Sequence, residues 1–146
     1  MSFTDIKLDT AILLVTKKND VHTMHELSRE ELLEIAHSAA TTKSCPDCSL
    51  LSCTGWESVP SSFELGKLQA IGTLKIEDSK ECWDEFHPDG TNIWSENAPI
   101  SITHHPYNRS DIFECIGCKK KFLRYTEYGG YYIDERIREL NPTLIV

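Results

Sequence analysis

The chain reads as an α+β fold: an N-terminal helix beside a small antiparallel sheet, with two cysteine knuckles separated by a long insertion. Three observations predict it. A capped, amphipathic stretch begins at Ser28, strand-like runs flank Gly129 and Gly130, and two CxxC pairs bracket the middle of the chain. At 146 residues one domain is expected, 1–146, long enough to bury a core. Apolar residues at 40% and charged residues at 26% are ordinary for a globular protein. A net charge of -8 disfavours broad nucleic-acid binding, because phosphates need a positive field.

Residues 1–20 are weakly patterned, with one apolar run at 11–15 that suggests a strand or buried segment. That run is too short to span a bilayer. Asp5 and Asp9 precede it where a secretory signal wants positive charge, so no membrane association and a cytoplasmic, reducing location are expected. Next comes "LSREELLEIAHSAA". Ser28 followed three residues later by Glu31 is a capping box, in which each side chain takes a free amide of the first turn. Leu32, Ile35, Ala36 and Ala39 then recur at helical spacing, predicting a helix over 29–40. His22 and His25 precede this cap as an HxxH that reads as solvent-exposed, and His37 reads as helix surface.

"TTKSCPDCSLLSCTGWESVPSS" is loop with a first knuckle at 43–49, and residues 50–110 form the insertion. Within it, Phe63, Leu65, Leu68 and Ile71 suggest a short helix or turn, weakened by Gly66 and Gly72. "HPDG" at 87–90 is a turn signal. Strands are expected at 99–103 and 111–114. Residues 113–140 hold the second knuckle and a hairpin. A two-residue turn at Gly129 and Gly130 would set Tyr128 opposite Tyr131, Arg124 opposite Glu135 and Phe122 opposite Ile137. A helix over 134–140 is the competing reading, since Ile133, Ile137 and Leu140 also fit helical spacing.

The pairs Cys45/Cys48 and Cys115/Cys118 carry the chemistry. Two intervening residues let both sulfurs of a pair face one ion, so two pairs supply four thiolates, the donor set of tetrahedral zinc. A redox CxxC would want a preceding strand and a helix starting at the motif, whereas Cys45 follows a helix. Unassociated buried thiols are the plainer alternative, and Cys53 and Cys82 are read that way, with ligation left open. "CPDC" and "CIGCKKKF", the latter with Phe122 four residues after its last cysteine and then a hairpin, resemble the zinc-ribbon and related two-knuckle proteins. That resemblance implies one structural Zn²⁺ held by Cys45, Cys48, Cys115 and Cys118. Iron is the competing metal. Many such proteins carry Gly after the second cysteine, where this chain has Ser49 and Lys119.

A metal closed by four thiolates leaves no position for water, so an enzyme would have to use other residues. His87, His104, Tyr107, Arg109 and Asp111, interleaved with Trp83, Phe86 and Trp94, form a candidate ligand pocket. Their plain reading is as turn and packing residues of a long connection. Lys119, Lys120 and Lys121 offset the negative charge of a thiolate-bound ion, touch a protein partner, or make a nucleic-acid contact in which Tyr125 or Tyr128 would stack on bases. No phosphate loop or nucleophile elbow is present. The expected function is non-enzymatic binding of another protein. An enzyme or small-ligand binder is the alternative, and a nucleic-acid-binding ribbon the third reading.

Overall fold

The structure, a computed structural model, describes residues 24–38, 43, 45–76 and 82–146. The expected buried segment at 11–15, His22, and the last two residues of the expected helix lie outside the described residues. Helix α1 (Arg29–Ser38) starts where the capping box places it. The Glu31 amide donates to Ser28 Oγ and the Ser28 amide to Glu31 Oε1, each at 3.1 Å. His25 adds a 2.7 Å contact to the Glu31 carboxylate, and these bonds hold its pKa below the usual value. Leu32 and Ala36 are the helix's buried positions, and no described helix is long and apolar enough to cross a membrane.

Five antiparallel strands follow: β1 (Glu57–Ser58), β2 (Leu68–Thr73), β3 (Asp111–Cys115), β4 (Lys121–Tyr128) and β5 (Ile133–Glu139), in the order β1-β5-β4-β3-β2. The insertion thus supplies both edges of the sheet. The short helix or turn expected from Phe63, Leu65, Leu68 and Ile71 is realised only as a single 3-10 turn (Leu65–Lys67); from Leu68 the chain is instead strand β2, fixed as extended by pairing with β3. Gly72 does not break this strand. It lies at a bulge where a Cβ would overlap Leu27 Cδ1 at 2.7 Å, so its bareness lets the segment before α1 close on the strand end. There Leu27 N donates to Thr73 O and Thr73 N to His25 O, each at 2.9 Å.

Two further expectations need correction. The strand at 99–103 reduces to one bridge, Ile100 with Ile145. Pro99 offers no amide, and from Ser101 the backbone turns toward a 3-10 turn at Tyr107–Arg109. The competition over 134–140 goes to the strand, but the hairpin register is shifted by two: Tyr128 pairs with Ile133, Arg124 with Ile137 and Phe122 with Glu139. The turn therefore spans 129–132, closed by Gly129 N to Tyr132 O at 2.8 Å, with the Tyr132 ring lying where a Gly129 Cβ would be. A shift of two keeps every side chain on its face, so apolar patterning cannot distinguish the registers. The Arg124–Glu135 pair survives as a diagonal contact, Nε to Oε1 at 2.9 Å.

Alternation along β4 gives the sheet two apolar faces. Leu123 and Tyr125 pack with Leu32, Ala36, Trp56, Ile112 and Leu140 on the helix side. Phe122 on the other face packs with Leu51, Phe63, Leu68, Ile137 and the thiols of Cys48, Cys53 and Cys115. Arg138 is fully buried on the helix side. Its guanidinium donates to the carbonyls of Thr54, Glu96 and Ala98 and to Tyr107 Oη, tying three connecting segments to β5.

Candidate metal centre

Both knuckles rest on the face opposite α1. The first begins at Cys45, whose carbonyl accepts from Cys48 N at 3.1 Å, and Leu51 N then donates to Cys48 O at 2.9 Å. Leu51 and Phe63 anchor this turn on Phe122. The second knuckle is the β3–β4 connection. Cys115 N donates to Lys120 O and Lys119 N to Cys115 O, both at 2.8 Å. Lys119 sits at φ 67, the left-handed conformation that glycine adopts without penalty, so lysine here fills a glycine role. Gly117 leaves room for the first knuckle: a Cβ there would stand 2.8 Å from Asp47 Oδ2, a side-chain tip that can swing aside, and 3.2 Å from Cys45 Sγ, a tight contact.

The four sulfurs of Cys45, Cys48, Cys115 and Cys118 lie within 4.8 Å of one another, the one such group among the described residues. Cys45 is 3.9 Å from Cys48 and 3.6 Å from Cys115, and Cys48 is 3.5 Å from Cys118. Four sulfurs at the ~2.3 Å bond length of a zinc thiolate, set tetrahedrally, stand roughly 3.8 Å apart, so these residues fit such an ion. Without a cation the thiols differ in how readily they ionise. Burial pushes Cys48 up to about 12 and raises Cys115. Burial opposes ionisation at Cys118 too, but the Lys120 amide and the neighbouring thiols outweigh it and bring that group to about 7. A divalent cation would favour the thiolate form at Cys48 and Cys115, where burial opposes it.

Cys53 stands outside the group. It is 2% exposed, donates to Leu51 O and is pushed up to about 12 by burial, the behaviour of an inert core thiol. Cys82 is half-buried and also outside it. The lysine run is paired: Lys119 and Lys121 reach Glu114 at 3.8 and 3.0 Å, and Lys120 reaches Glu139 at 3.1 Å.

The sequence-derived pocket residues are dispersed in role. His104 stacks on Phe86 with centroids 5.4 Å apart, and the Arg109 guanidinium lies 4.1 Å from the Trp83 ring. His87 Nε2 meets Glu85 at 2.5 Å. Tyr107 points into the core toward Arg138, and Asp111 is taken by Thr73 Oγ1 at 2.6 Å and Lys75 at 3.6 Å. Sequence reasoning missed Arg136 and Arg138. The signal available was Leu140, which shares the inward face of β5 with Arg138 at a spacing of two. Compared with known proteins, the chain matches no family model, no curated protein and no solved structure.

Proposed function

We propose that the chain is a structural-zinc protein whose metal fixes a binding module, not a catalytic centre. The convergence of four cysteine sulfurs from two knuckles carries this reading. Four thiolates fill the coordination shell of zinc, so the ion would hold residues 45–53 to the β3–β4 turn and activate no water. The work would be done by the protein surface, with another protein as partner. Six free thiols suit a reducing, cytoplasmic compartment. The ion pairs of Lys119, Lys120 and Lys121 with Glu114 and Glu139 weigh against a phosphate-gripping ribbon, since those lysines already have anionic partners.

Cobalt substitution tests the donor set. Titrating metal-free protein with Co²⁺ under reducing conditions should give intense tetrahedral and thiolate charge-transfer absorption that saturates at one ion per chain and is displaced by Zn²⁺. A weak octahedral spectrum, or no saturation, would contradict the four-thiolate site.

A further inference from the structure

The tip of the β4–β5 hairpin gathers exposed apolar side chains: Tyr128 is 72% exposed, Tyr131 104%, Tyr132 53% and Ile133 71%. Residues 128–133 carry no charge. The charges just behind them are neutralised within the hairpin. Glu127 and Asp134 meet Arg136 at 3.3 and 3.2 Å, and Glu135 meets Arg124 at 2.9 Å.

The backbone at the tip is open as well. Gly129 N donates to Tyr132 O, so antiparallel alternation turns the amide and carbonyl of Tyr128 away from β5. On that outer side the ladder with β3 has already ended at Arg124, opposite Asp111. The end of β4 therefore presents a strand edge that no strand of the sheet covers, and such an edge is a template for another strand. Tyr128 and Ile133 lie opposite each other across the hairpin, so both side chains share one face beside that edge.

A second copy of this chain fits the tip on three counts. A strand edge is self-complementary: two copies related by a two-fold axis pair it antiparallel, each giving and taking the same groups. A chain of net charge -8 repels its own copies and anionic surfaces except where it presents no charge, as at 128–133. An aromatic side chain holds ~150–250 Å² of surface, so the four exposed residues offer up to roughly 600 Å². Two tips together then remove up to roughly 1,200 Å² from water, the size at which specific interfaces begin.

We propose that the hairpin tip is a homodimer contact, in which Tyr128 of two copies pair across a two-fold axis. Each Tyr128 amide donates to the other's carbonyl, joining the hairpins into one four-stranded ribbon. Ile133 and Tyr128 of one copy run on into Tyr128 and Ile133 of the other as a single apolar row. The tip stands at the end of β4 away from Cys118. The contact thus goes beyond the binding-module reading and needs neither the metal nor a foreign partner.

Sedimentation equilibrium of the full chain tests it. The weight-average mass should rise from one chain toward two as concentration climbs from about 1 to about 500 μM. Tyr128→Lys and Tyr128→Glu should each weaken association by about tenfold or more, because like charges would then face each other at the axis. Both replace an exposed side chain, so the unfolding midpoint and metal content should stay as in the parent. Mixing the two variants in equal amounts should restore a dimer, which a folding defect could not do. A parent that stays one chain at every concentration would overturn the assignment. So would a dimer that both variants retain, or one that mixing fails to restore. Binding of a monomeric parent to phosphatidylcholine vesicles would make the tip a lipid anchor and overturn it too.

Discussion

Single residues carry much of the organisation, and three of them make measurable claims. Lys119 holds a left-handed backbone, φ 67, at a cost of ~1–2 kcal/mol for an L-residue, partly offset in glycine by greater freedom when unfolded. Its contact with Glu114 is 3.8 Å long and its own side chain is largely exposed, so the pair is worth little. Lys119→Gly should therefore raise stability by about 0.5–1 kcal/mol in urea unfolding. Arg138 behaves oppositely. Arg138→Met would leave the Thr54, Glu96 and Ala98 carbonyls without their buried donor and should cost about 3–5 kcal/mol. Lysine should recover only part, because it lacks the planar fork. His105 gives a pH signature. Burial, its largest influence, lowers its pKa below 6.5, so the fold prefers the neutral ring. Its contribution is complete above the unfolded pKa and is lost as pH falls through the folded one. Urea unfolding from about pH 7.5 down to about pH 5 should show a steeper loss for the parent than for His105→Gln. Equal slopes would mean that ring is not what titrates.

At the scale of elements, legibility followed how local the determinants were. The start of α1 was readable because Ser28 and Glu31 cap it within four residues, and Ser28→Ala should cost about 1 kcal/mol, measured by thermal unfolding. Strand β3 and the hairpin were readable from short-range alternation and the Gly-Gly turn. The register was not, since Tyr132 folding over Gly129 lengthens the turn by a side-chain contact that no propensity encodes. Strand β2 was misread because Leu65, Leu68 and Ile71 match helical spacing, whereas tertiary pairing with β3 fixes Leu68–Thr73 as extended. The expected strand at 99–103 failed for the converse reason: one residue of it finds a partner, the C-terminal Ile145.

At the scale of the molecule, the two faces of the sheet are closed by different means. The helix side is sealed by α1, Trp56 and the C-terminal residues around Ile145. The other side is covered in part by a short loop, residues 45–53, whose Leu51 and Cys53 pack beside Phe63 and Leu68. A zinc ion joining that loop to the β3–β4 turn would supply the closure that the loop cannot, by linking segments far apart in sequence. The cysteine quartet was legible because CxxC spacing states a ligand pair directly. That the two pairs share one site was legible too, whereas the route by which β3 and β4 place Cys115 and Cys118 over the first knuckle was not. The central claim is that metal and fold are one cooperative unit. Zinc content and thermal unfolding, measured on protein purified without added metal and on its Cys115→Ser variant, test it most directly. One zinc per chain in the parent, lost in the variant together with the cooperative transition, is the predicted result. A metal-free parent that unfolds cooperatively and at the same temperature as the variant would contradict it.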